Sequence, residues 1–236
     1  MSDLSSLFKS NDSDESWMPI SDMMTGLMLI FLFIAIIYIR DIQETYGESE
    51  RIRAMLCNEL QREFRDDKEK WGMGICEGGL LIKFSNDNSF EIGRKVLKPE
   101  FKNMLTEFYP RFKSILWDNR DKISELRIEG HASSEGQRGD KNKLNAYLYN
   151  ADLSQGRSFN VMDFLLNLPS IINNNEYLEW SYSNLTAHGM SSSELIYDDN
   201  QMENRELSRR VEFRIRTKAD EDLYDLIRRF ESNYGN

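Results

Sequence analysis

Apolar residues fill every helical face between positions 19 and 39 (PISDMMTGLMLIFLFIAIIYI), and the one charge there is Asp22. Twenty-one helical residues rise ~31 Å at about 1.5 Å each, the thickness of one hydrocarbon core. Trp17 and Tyr38 fall near the two ends, where aromatic side chains settle at a bilayer interface. A helix buried in a soluble domain is seldom apolar all round. A cleaved signal is rejected as well: residues 1–16 are acidic, the run is too long, and no small-x-small site follows. The pattern predicts one transmembrane helix over 17–40.

Behind it the period stays helical. Ile42, Tyr46, Ser49, Arg53, Leu56, Leu60 and Phe64 recur at steps of three and four. That stripe fits a parallel coiled coil with an identical copy, or packing on the chain's own domain. Trp71-Gly-Met-Gly74 ends the helix. Short strands are predicted over 79–84, 123–131, 185–189 and 209–216, the last with Val211, Phe213 and Ile215 on one face. Between them lie two helices. The one over 99–117 carries Phe101, Met104, Leu105, Phe108, Phe112, Ile115 and Leu116; the one over 143–168 has Leu144, Leu148, Phe159, Met162, Leu165 and Leu166 on its apolar side. A charged amphipathic helix follows over 219–230. The order predicts an α+β sandwich, one sheet covered by helices. The expected organisation is a leader (1–16), a membrane helix (17–40), a helical linker (41–75), an α+β domain (76–218) and a tail (219–236).

Composition narrows the function. The net charge of −10 lacks a basic footprint, so nucleic acid is not an expected partner. Two cysteines, Cys57 and Cys76, exclude a four-cysteine zinc site within one chain. On an oxidising side of the membrane they can pair, and a loop of about 20 residues closed in this way contributes ~3 kcal/mol. Two buried thiols, or a bond between chains, are the alternatives. His131 and His188 each adjoin a glycine and could hold zinc with Glu129, but a histidine at a strand-end glycine is more often structural. Neither metal nor cofactor is expected. No nucleophile motif, phosphate loop or paired carboxylate points to an enzyme.

Asp22 has two readings. It can cap the first turn of the helix, with Pro19 just upstream. Or it can carry an ion, since acids within spanning helices usually face a partner helix or a water path. Thr25 and Gly26, at i+3 and i+4, share its face, and small residues there let another helix approach. Arg40, Arg51 and Arg53 follow the helix whereas Lys9 alone precedes it, which by the positive-inside rule puts the C-terminal part in the cytoplasm.

Four tracts carry a family resemblance. Trp17-Met-Pro-Ile-Ser-Asp22-Met-Met-Thr25-Gly26 resembles the helix of MotB-type stator subunits, with its Asp and following Met-Thr. Ile128-Glu-Gly130-His131-Ala-Ser133, Tyr149-Asn150-x-x-Leu153-Ser154-x-x-Arg157 and Arg205-x-x-Ser208-Arg209-Arg210-Val211-Glu212 resemble the motifs of OmpA-like peptidoglycan-binding domains. Together they span roughly 19–40 and 78–217, and the combination is similar to the ZorB subunits of Zorya anti-phage systems. The resemblance implies an OmpA-like β-α-β-α-β sandwich in the periplasm, a single-pass inner-membrane protein and a cytoplasmic N-terminus. It implies two copies inside a ring of ZorA-like, MotA-type subunits. Asp22 would then translocate the ion, a proton, with Thr25 offering an oxygen. Tyr149, Asn150, Leu153, Arg157, Ser133, Arg205 and Arg209 would contact peptidoglycan, with Arg157 holding a stem-peptide carboxylate. The alternatives are a flagellar-type stator subunit, a passive membrane-to-wall tether and a periplasmic metal hydrolase. The sequence departs from the family where Ser133 replaces the Asp that grips the stem-peptide amine and where Ser208 replaces an Asn. Glu135 is the candidate to stand in for the lost carboxylate.

Overall fold

The computed structural model describes residues 17–85, 89–137 and 139–234; the leader lies outside them. The chain divides into two compact units, Met1–Gly47 and Glu48–Asn236. The first unit holds the start of α1 (Trp17–Glu63), a helix of 47 residues. Every residue from 21 to 40 is exposed. Among the described residues α1 is the one helix long and apolar enough to cross a membrane.

The second unit takes in the last turns of α1. Leu56, Leu60 and Phe64 are wholly buried in its core. This corrects two expectations. Residues 48–75 belong to the folded unit and are not a linker. The C-terminal half of the apolar stripe is used up within the chain, so it is not free to pair with a second copy. Cys57 and Cys76 are joined by a disulfide, their Cα atoms 6.0 Å apart, which fastens α1 beside the first strands.

After α2 (Lys68–Trp71) the chain enters β1 (Met73–Ile75), a three-residue strand that sequence reading took for a helix break. Then come β2 (Leu81–Ser85), α3 (Pro99–Asp118), β3 (Ile123–His131), α4 (Lys143–Leu166), α5 (Pro169–Ile172), α6 (Asn175–Asn184), β4 (Leu185–Gly189), α7 (Arg205–Ser208), β5 (Arg210–Thr217) and α8 (Lys218–Tyr234). The strands form one sheet in the order β1-β2-β5-β3-β4. β3 and β4 run parallel, Leu126 opposite Leu185; the other neighbours are antiparallel.

Alternation along β3 and β5 sends Leu126, Ile128, Val211, Phe213 and Ile215 to the face that α3 covers. Phe108 of α3 sits at the centre. Its ring centroid lies 4.9 Å from Phe64, 5.1 Å from Phe84, 5.0 Å from Phe112 and 5.6 Å from Phe213, joining the turn after α1 to β2 and β5 in one aromatic cluster. Behind α3, the phenol oxygens of Tyr109 and Tyr177 of α6 are hydrogen-bonded at 3.0 Å. Burial pushes the Tyr109 phenol up to about 12, so the pair stays neutral.

The inner side of α4 is not the one its large residues suggest. Leu144, Leu148 and Phe159 are exposed, and the buried positions include Ser154, Ser158 and Val161. Here the helix lies against the paired glycines Gly130 and Gly189. A Cβ on Gly130 would strike the carbonyl oxygen of Ser154, and one on Gly189 the backbone of Gln155. An approach this close admits only small residues.

Candidate functional site

Two places gather the residues singled out above, and each is described alone. On α1, Asp22 is exposed and has no partner among the described residues. The hydroxyl of Thr25 donates to the carbonyl of Ser21 at 2.8 Å, so its proton is committed within the helix.

The second place lies beyond the end of β3. Asn142 caps α4, accepting from the N–H groups of Leu144 and Asn145. From there Tyr149, Leu153 and Arg157 follow at four-residue steps on one face of α4. Asn150 is buried, and its Nδ2 donates to the carbonyls of Ser133 and Glu135, both at 2.9 Å. These bonds orient the loop. A Cβ on Gly136 would come within 2.5 Å of the Ala146 methyl, so this loop lies hard against α4.

Between loop and helix opens a cavity of about 490 Å³. Ser133, Tyr149, Asn150, Leu153, Arg157 and Arg209 all line it, together with Glu135. Arg205 does not line it, but pairs with Glu135 at 2.8 Å, and Arg209 approaches the same carboxylate at 3.5 Å. Sequence reading missed Ile92, Gly93 and Gln137 on the wall. The segment ahead of α3 has no periodicity to reveal it; the left-handed φ of +67° at Gly93 is its one signal.

Arg157 is 3% exposed. Its Nε donates to the carbonyl of Arg94 at 3.0 Å and its Nη2 to that of Glu91 at 3.3 Å. Its guanidinium carbon lies 5.0 Å from the centroid of the Phe90 ring. No carboxylate among the described residues forms an ion pair with it, which removes a structural salt bridge as its role. Burial lowers its pKa to about 10, with Arg209 adding in the same direction and Tyr149 opposing. It stays charged at neutral pH.

No family model matches the chain. The Zorya protein ZorB of Escherichia coli is 34% identical over 227 residues, which cover 93% of this chain and 95% of that protein. The chain belongs to the ZorB family. Among solved structures, a MotB-like protein from Desulfovibrio vulgaris is 21% identical, with a TM-score of 0.51 over 73% of this chain and 98% of that one. The cell wall anchor of the T6SS from Pseudomonas aeruginosa is 22% identical, with a TM-score of 0.44 over 65% and 94%. The likeness to the MotB-like protein shows that the second unit of this ZorB-family chain has the mixed α/β fold expected from its motifs.

The face of the sheet turned away from α3 holds the histidine question. In this ZorB-family chain His188 lies on β4 opposite Glu129 and is half-exposed, its Nε2 2.9 Å from the Thr186 hydroxyl and 3.8 Å from Glu125. His131 instead lies between Glu129 and Glu212, at 3.7 and 3.8 Å, and all three are buried. Their ligand atoms fall within 4.8 Å of one another. Cations already occupy both carboxylates. Arg214 donates to Glu129 at 2.8 Å and to Glu212 at 2.7 Å, and Arg210 donates to Glu212 at 2.6 Å. Burial alone would raise the Glu129 carboxyl, but His131 and Arg214 outweigh it and hold the group below its ordinary value. Two arginines on two glutamates leave little negative charge to draw in a divalent ion.

Proposed function

We propose that this chain is the ion-driven membrane subunit of an anti-phage complex, anchored to peptidoglycan. Two copies of α1 stand inside a ring of ZorA-like, MotA-type subunits, and Asp22 binds and releases a proton. One observation carries the reading: α1 presents an acid on a helix whose residues 21–40 are all exposed, so both the apolar surface and the carboxyl require other helices or lipid. A carboxyl is neutral when protonated and charged when not. One charge crossing 100 mV is worth ~2.3 kcal/mol, enough to bias which helices Asp22 contacts at each step. The 34% identity to ZorB favours the defence role over a flagellar one.

The Cys57–Cys76 bond supports an exported second unit, because such bonds persist in oxidising compartments. The positive-inside count points the other way. Of its three arginines, Arg53 is paired with Asp220 at 2.9 Å and belongs to the folded unit. We therefore read the N-terminus as cytoplasmic, the protein as a single-pass inner-membrane one, and the OmpA-like domain as periplasmic. There the cavity around Arg157 takes a stem-peptide carboxylate through two parallel hydrogen bonds.

The test is phage protection by Asp22→Asn at matched expression. The variant inserts and assembles but protects no better than an empty vector. Full protection would end the ion-carrier reading and leave a passive tether, for which Arg157→Ala is the damaging change. Reporter fusions to each end decide the topology.

A further inference from the structure

The charges around the cavity are sorted unevenly. Arg157, buried on the wall, meets carbonyls and an aromatic face but no carboxylate among the described residues. Among the described residues the one acid on the cavity's lining is Glu135, and it is engaged. Glu135 on the rim is held by Arg205 at 2.8 Å and Arg209 at 3.5 Å. Glu203 accepts from the Ser134 N–H at 2.8 Å and from the Ser134 hydroxyl. Among the described residues the cavity's lining thus offers a cation awaiting an anion, and no carboxylate that is not already bound.

We propose that this pocket selects its ligand by a carboxylate alone, and accepts a stem peptide whose neighbouring amine is acylated, as in a cross-link, as readily as one whose amine is free. The inference rests on the wall-anchoring reading and narrows it. To grip an ammonium, Glu135 would have to weaken its pairs with Arg205 and Arg209, drawing negative charge away from two guanidiniums. An incoming carboxylate has the opposite effect: it is drawn to Arg157, which has no carboxylate partner among the described residues, so no ion pair has to break. An acyl group on the amine removes a charge that the pocket has no means to reward.

The experiment titrates the full-length protein in detergent with three soluble stem peptides ending in a diamino diacid. The first has its side-chain amine free, the second has that amine acetylated, and the third has the adjoining carboxylate amidated. Acetylation is expected to change the Kd by less than about threefold, while amidation weakens binding about tenfold or more, as loss of a charge-assisted fork should. Arg157→Ala should lose the first two peptides alike. Should it fail to fold, Arg157→Lys, which keeps the charge but not the fork, and the amidated peptide still report on the carboxylate. Acetylation weakening binding by more than about threefold would overturn the inference while wall anchoring stands. Failure of all three peptides to bind would overturn the anchoring reading and the inference with it.

Discussion

Replacing Cys57 and Cys76 together by serine tests both the fold and the topology. The bond closes a loop with a sequence separation of 19. In the chain-entropy model a loop of that length removes about 11 cal/mol/K from the unfolded ensemble, or ~3 kcal/mol at 25 °C. For a unit the size of Glu48–Asn236 each kcal/mol moves Tm by about 2–4 °C, so the double variant should melt ~6–12 °C below wild type. Near-UV circular dichroism of the full-length protein in detergent reads this directly. In parallel, thiols alkylated in intact cells before lysis should be undetectable in wild type until a reductant is added. Coincident melting curves, or thiols that label at once, would refute the pairing and remove its support for an exported domain.

Two further outcomes follow from the same packing. Gly130→Ala sets a methyl against the carbonyl of Ser154; we expect a loss of ~1–3 kcal/mol, seen as a lowered denaturation midpoint with an unchanged m-value. Acid should loosen the second unit through Asp220. Burial would raise this carboxyl, but the Ser49 hydroxyl, the backbone and hydroxyl of Thr217, and Arg53 together bring it below its ordinary 3.8. Glu129 and Glu125 likewise lie below their ordinary 4.5. Groups depressed on folding stabilise above their unfolded values, and that contribution disappears as pH falls through the folded ones. Tm should therefore be flat above about pH 5.5 and drop as pH falls below 4.5 and 3.8, with a shallower drop in Asp220→Asn. Identical slopes would show that Asp220 is uncoupled from folding.

Much of the architecture could be read from periodicity. Alternation located β3 and β4 to the residue and β5 within one, and three- and four-residue spacing found α3 together with nearly all of its buried face. The motif residues of α4 and the loop after β3 do converge on one cavity, because spacing of i, i+4 and i+8 puts Tyr149, Leu153 and Arg157 in line. What escaped has a physical cause in each case. β1 is too short to show alternation. The polar sequence of α6 hides a helix whose buried anchor is a tyrosine. On α4 the rule that large apolar residues face inward fails where two glycines let the backbone come close, and the stripe on α1 could not say whether it met its own domain or a copy. The engagement of Glu135 and the pairing of Glu129 with Glu212 depend on strands and loops brought together only by the fold.

The quartet of Glu129, Glu212, Arg210 and the partly exposed Arg214 is electrically closed: two negative groups, two positive ones, and bonds of 2.6–2.8 Å joining them, two along β5 and one across to β3. Deleting either arginine strands carboxylate charge away from water, at a cost of ~3–5 kcal/mol, whereas exchanging all four for apolar residues of similar volume can be nearly neutral. Relatives of this chain should accordingly keep the four or lose the four, with intermediate combinations rare. Single edits made here to tune the protein would meet an evolutionary ratchet, and a redesign has to move the whole set in one step.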